Sequence, residues 1–176
     1  MGNLTHFDQF GRVHGTIEVL GEIIPIDCYG MRDRSWGPRP EHRPRKSAYV
    51  TGIASPEESF LAVPRSGEHC NDVAYGFLIR EGEIGDLVSG RRSIERDPEQ
   101  GWVNRIVIDA VDEHGRKLHA EGKRISGITL VRHSFIDNNG LIEWSIDGKT
   151  GHGEDQDMWP VHDWADYRRT GVDIGA

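Results

Sequence analysis

The sequence predicts an all-β fold: an antiparallel meander closed into a barrel of about 8–10 strands, with one short C-terminal helix. Three observations point there. Apolar residues recur with period two, as in Lys117-Leu118-His119-Ala120-Glu121-Gly122-Lys123, where Leu118, Ala120 and Gly122 share a face. Short turn signals separate strand-length runs, so the connections are hairpins. Only one segment, near the C-terminus, carries helical start and stop signals. A meander this long closes on itself to hide its edges.

The elements follow in order. Residues 1–12 form an N-terminal arm, and strands are expected at 14–19, 23–29, 47–54, 59–63, 73–80, 83–95, 102–111, 117–125 and 127–136, with a tenth at 141–147. Residues 103–111 are β-branched and strand-length. Ile142, Trp144 and Ile146 share one face, with Glu143 and Ser145 opposite. Glu81-Gly82, Glu113-His114-Gly115-Arg116 and Asp137-Asn138-Asn139-Gly140 read as hairpin turns, because Gly and Asn accept positive φ. The helix is expected over 159–170: Pro160 suits a first helical position, Val161, Trp164 and Ala165 form a stripe, and Thr170-Gly171 ends it. Gly52, Ala54, Gly76, Ala110, Ala120, Gly122 and Gly127 fall within strand runs and leave room for a cavity or for strong barrel curvature.

At 176 residues the chain suits one domain. A net charge of −8 argues against nucleic acid. Positive charge is concentrated at 32–46, where Arg32, Arg34, Arg39, Arg43, Arg45 and Lys46 face only Asp33 and Glu41. Two cysteines, Cys28 and Cys70, make no disulfide framework, so a reducing, cytoplasmic setting is expected. No signal peptide and no membrane-spanning segment is visible.

The densest chemistry lies in Gly30-Met31-Arg32-Asp33-Arg34-Ser35-Trp36-Gly37-Pro38-Arg39, which reads as a structured loop. Asp33 can take a bidentate bond from Arg32, Arg34 or Arg39, and Trp36 offers a flat wall, either at a cavity mouth or as a structural corner. A buried cluster of Arg32, Asp33, Arg34 and Trp36 is the expectation. A second cluster, His152-Gly153-Glu154-Asp155-Gln156-Asp157, lacks full calcium-loop spacing, so no metal is expected. Its acids suit the start of the following helix, or pair with Arg32, Arg34 or Arg39. His133 and Glu143, across the expected Asn138-Asn139 hairpin, form a candidate acid–base pair. Nucleophile, phosphate-cradling and dinucleotide motifs are missing, which disfavours redox and phosphoryl chemistry.

Asp33-Arg34-Ser35-Trp36-Gly37 resembles the D-H-S-W-G motif of the carotenoid-hydratase and AttH-like group of lipocalin-related proteins. It is closer still to a bacterial branch carrying R-D-R-S-W-G-x-R. The likeness extends from Phe7–Gly15 to Gly153–Asp157 and the Trp159-Pro160 pair beyond. The resemblance implies a lipocalin-like barrel, the C-terminal type of a tandem pair, and proton donation by a carboxylic acid in an apolar pocket without a cofactor. It assigns Asp33 and Trp36 as catalytic candidates, beside His133; Arg32, Arg34, Trp36, Arg39 and Trp144 are candidate ligand contacts. Arg34 stands where the motif has histidine, and a guanidinium cannot shuttle a proton near neutral pH. The favoured function is therefore binding of a hydrophobic small molecule (isoprenoid, steroid, fatty acyl or aromatic) in the barrel. A cofactor-independent hydratase, lyase, isomerase or cyclase is the alternative, and a structural half of a two-barrel assembly is a third. Because relatives place two barrels side by side, a homodimer is expected.

Overall fold

Period-two patterning is realised as ten strands and one helix among the described residues, 5–37, 45–65 and 71–173, of the computed structural model. The strands are β1 (Thr5–Val19), β2 (Glu22–Trp36), β3 (Ser47–Ser55), β4 (Glu58–Pro64), β5 (Val73–Arg80), β6 (Glu83–Arg96), β7 (Val103–Asp112), β8 (Lys117–Val131), β9 (Phe135–Ile146) and β10 (Lys149–Pro160), followed by α1 (Val161–Thr170). Strands β3 to β10 pair with their neighbours, and β10 returns to β3, closing an eight-stranded antiparallel barrel. Strands β1 and β2 stay outside it as a two-stranded ribbon. No helix among the described residues is long and apolar enough to cross a membrane.

The barrel interior is packed with side chains. Phe60, Leu78, Ile106, Ile108, Leu118, Ile142, Trp144 and Ile146 are all buried there. The Phe60 and Trp144 rings meet edge to face, with centroids 5.3 Å apart. The Trp144 indole N–H donates to the Thr51 carbonyl at 2.9 Å. Two of the small residues expected to leave room instead make way for these rings. A Cβ on Gly52 would stand 2.3 Å from the Phe60 ring, and one on Gly122 would stand 2.6 Å from Trp144.

One end of the barrel is closed by charge. Arg92, on β6, binds Asp155 through two nitrogens, and Arg96 binds Asp157 at 2.6 Å. Asp157 also accepts from the Trp159 indole at 2.8 Å. Trp159 then carries α1, whose Trp164 and Tyr167 rings lie 5.4 and 5.2 Å from it. The helix ends at Gly171, at φ 71°, whose N–H reaches back to the Tyr167 carbonyl.

Four expectations are corrected. Residues 137–140 are not a turn: they lie inside β9, and Thr129 Oγ1 donates to Asn138 Oδ1 across the ladder at 2.8 Å. The turn falls instead between Val131 and Phe135, and 117–131 run as one strand through a register shift at Arg124/Ser126. The acids of 152–157 do not serve the start of the helix but lie in the middle of β10, because Arg92 and Arg96 neutralise the inward carboxylates. Residues 30–36 are not a loop either. They continue β2, just as residues 5–12 of the expected arm belong to β1.

Candidate functional site

The ribbon sits on the barrel by one face. Phe10 of β1 and Met31 of β2, directly paired, pack against the cluster of Tyr49, Leu61 and Val63 on the barrel's outer wall, which Phe77 and Met158 also cover. Strand alternation places His6 and Asp8, with their partners Ser35 and Asp33, on that same face. Arg32, Arg34 and Trp36 take the other face. There Arg32 stacks over Phe7 at 5.3 Å, Arg34 stacks over Trp36 at 5.7 Å, and Trp36 meets Phe7 edge to face.

The expected buried cluster is therefore split by the pleat. Asp33 has no ion pair to Arg32 or Arg34 among the described contacts, and Trp36 is 48% exposed. Asp33's neighbour is instead His6, whose Nδ1 lies 3.5 Å from Asp33 Oδ1 and 2.7 Å from Ser35 Oγ. The other ring nitrogen, Nε2, lies 2.8 Å from Asp8 Oδ2.

Asp8 and Asp33 are directly opposed across the ribbon, an arrangement that repels unless something positive stands between them. The imidazole of His6 lies within reach of both carboxylates. His6, Asp8 and Asp33 are also close enough to hold a divalent cation, their candidate ligand atoms lying within 4.8 Å of one another. The Tyr49 hydroxyl is buried beneath. Burial first, and then the Asp8 and Asp33 carboxylates, push its pKa well up, so it keeps its proton.

Beside this cluster a groove runs over the outer wall. Its first part, about 250 Å³, is lined by Tyr29 and Met31 of the ribbon, Ile53, Leu141 and Glu154. Its second part, about 310 Å³, shares Leu141 and Glu154 and continues to Ile128 on β8. Burial raises the pKa of Glu154; Asp137 and Asp33 add to the rise, and the Gln156 amide, donating at 3.1 Å, opposes it. Burial likewise raises Asp137, against the pull of Arg132 at 3.8 Å. The groove thus offers apolar walls and one carboxyl group, Glu154, that holds its proton more tightly than usual.

The remaining predicted residues lie elsewhere. His133 is exposed in the β8–β9 turn, and Glu143 pairs across the sheet with Lys123 and His152, so the proposed acid–base pair does not form. Trp144 stands in the barrel core, and Arg39 and Cys70 lie outside the described residues. Asp155 and Asp157 pair with Arg92 and Arg96 rather than with the arginines of β2. His6, Asp8, Tyr49 and the groove position of Glu154 escape sequence reasoning. The available signal is the pairing of β1 with β2, which is visible only if both strands are extended to residues 5 and 36.

These features define an antiparallel β-barrel protein with an external ribbon and, beside it on the barrel wall, a groove that holds the Glu154 carboxyl. The chain belongs to the family described as a domain of unknown function (DUF7064), whose model matches residues 2–160. No curated protein and no solved structure is significantly similar to it.

Proposed function

We propose that this protein binds an apolar small molecule of the isoprenoid, steroid, fatty acyl or aromatic class, in the groove where the ribbon meets the barrel wall. The observation that carries this reading is the continuity of that groove from Tyr29 and Met31 to Ile128 through Leu141. The packed interior directs binding outward, since Phe60 and Trp144 take the space beside Gly52 and Gly122. Apolar walls with a few convergent polar groups are the usual composition of small-molecule sites. A cytoplasmic setting, self-association and independence of any cofactor belong to the same reading.

A second reading is a cofactor-independent lyase or isomerase acting on that ligand class. It is favoured by Glu154, a carboxyl with a raised pKa against apolar walls, suited to donating a proton. It also agrees with the resemblance of Asp33-Arg34-Ser35-Trp36-Gly37 to the carotenoid-hydratase group. Arg34 still cannot shuttle a proton, so in this reading the proton comes from Glu154.

Native mass spectrometry of the purified chain, followed by Nile red titration, tests the proposal. Binding at micromolar concentration that is lost in Leu141→Arg and kept in Glu154→Gln supports a binder. Water addition to, or isomerisation of, a bound polyene that is lost in Glu154→Gln supports the enzyme. Unaltered Nile red binding in Leu141→Arg refutes the groove.

A further inference from the structure

Apart from Tyr29, which lines the groove, the outer half of the ribbon is used by neither the barrel nor the groove. Eight register pairs, from Arg12↔Tyr29 to Val19↔Glu22, extend beyond the Phe10–Met31 seat. Their length is about 26 Å. Alternation sorts this half into two faces. One is mixed, carrying Arg12, His14, Thr16, Glu18 and Asp27 beside Tyr29, Pro25 and Ile23, with Arg12 and Asp27 ion-paired at 2.7 Å. The other is mainly apolar, carrying Val13, Ile17, Val19, Ile24, Ile26 and Cys28, with Glu22 at its end.

Val13, Ile17 and Val19 are 47–49% exposed, and Leu20 at the tip is fully exposed. A two-stranded ribbon is marginal in water alone, and a contiguous apolar face of this kind marks an interface. The groove has the reciprocal deficiency. It lies open on the barrel wall, with Ile128 58% and Leu141 45% exposed and Ile125 and Val131 alongside. A site that holds a small molecule normally encloses most of it.

We infer that the apolar face of the ribbon tip closes the groove of a second copy of this chain, the two copies exchanging ribbons about a two-fold axis. Area selects the second copy over a one-sided partner. The outer half presents on the order of 250 Å² per face, so a single ribbon-in-groove contact buries on the order of 500 Å². Reciprocal exchange doubles this to about 1,000 Å², the lower bound for a stable specific interface. Exchange is also self-complementary, as closed two-fold symmetry requires, since each chain supplies one ribbon and one groove. The inference rests on the groove reading above, and adds that the site is complete only in the dimer.

Sedimentation equilibrium and Nile red titration on the full chain test it, using wild type and the double substitution Ile17→Lys/Val19→Lys. Both positions are half-exposed, so the fold is retained, with far-UV circular dichroism as the control. The expected result is a wild-type dimer at micromolar concentration, a monomeric double variant, and Nile red affinity at least about tenfold weaker in the variant. A monomeric wild type overturns the exchange and leaves the ribbon for a different partner. A dimer that survives the two lysines overturns it as well, and a monomeric variant with undiminished Nile red affinity overturns the closing of the groove. If the lysines abolish the dimer but wild type binds no Nile red, the exchange stands and the groove reading fails.

Discussion

Arg92 Nη2 reaches both carboxylate oxygens of Asp155, at 2.8 and 2.7 Å, and each of the two side chains is only 1% exposed. The pair lies inside the barrel, with Asp157 3.5 Å from the same guanidinium. Its value lies in mutual neutralisation. Asp155→Ala should cost about 3–5 kcal/mol, because it strands a buried cation beside a single remaining carboxylate. Replacing both members by apolar residues, Arg92→Met with Asp155→Leu, should cost far less than the single change. Urea denaturation of the two variants measures the difference.

Gly52 and Gly122 give opposite outcomes for a packed and an empty interior. With room inside, Gly→Ala on a strand would be neutral or stabilising. Here the new methyl group would meet the Phe60 or Trp144 ring well inside van der Waals contact. Each of Gly52→Ala and Gly122→Ala should therefore destabilise by about 1–3 kcal/mol. Thermal melts of both variants check this, and a raised melting temperature would reveal space that the packing does not leave.

Much of the barrel is legible in the sequence because its inward residues are apolar. Leu118, Ala120 and Gly122 face inward as their alternation predicts, as do Ile142, Trp144 and Ile146, and the helix begins and ends within two residues of its signals. Strand β10 is not legible, because its inward positions include Asp155 and Asp157, and only the distant Arg92 and Arg96 make them tolerable there. The candidate site is hidden for a related reason. His6 and Asp8 meet Asp33 through hairpin register across more than twenty residues, and local spacing encodes nothing of it. The motif 32–36 is correct as a cluster of chemistry and incorrect as a unit, since the pleat sends alternate residues to opposite faces.

Acid–base behaviour should be asymmetric. Asp157 is pulled down to about 2: burial opposes ionisation, but Arg96 and Arg92 outweigh it. A depressed carboxyl stabilises the fold above its unfolded value of 3.8, and that contribution is lost as pH falls from there toward 2. Asp155, Asp137 and Glu154 are raised, burial being the largest cause in each. A raised carboxyl works the other way: stability recovers as pH falls through its folded value, and the recovery is complete below the unfolded one. His119, raised by Asp109 and Glu121, adds stability below 6.5 that is lost as pH climbs through its raised value. The melting temperature should thus rise slightly from pH 7 to about 5 and drop steeply below about 4. Calorimetry across this range is the measurement. In Asp157→Asn the steep acid limb should flatten.

The ribbon's attachment depends on very few residues, and that makes its order separable from the barrel's. Phe10 meets Phe77 edge to face at 5.6 Å, and with Met31 it supplies the ribbon's apolar contact to Tyr49, Leu61 and Val63. The barrel has its own closed hydrogen-bond ladder and its own core, neither of which includes Phe10. Removing the Phe10 ring should therefore free the ribbon without melting the barrel, since locally stable units open separately when few buried contacts join them. In Phe10→Ala, amide exchange should accelerate across residues 5–36 and stay slow in β6 to β9. Fluorescence of Trp36, which lies at the ribbon's base against Phe7, should shift in the same variant. Groove binding should weaken with it, because Tyr29 and Met31 form one wall of the groove and are carried by the ribbon. Slow exchange that persists in 5–36 would mean that the ribbon holds its register by cross-strand pairing alone, and the seat would then be a consequence of that order rather than its cause.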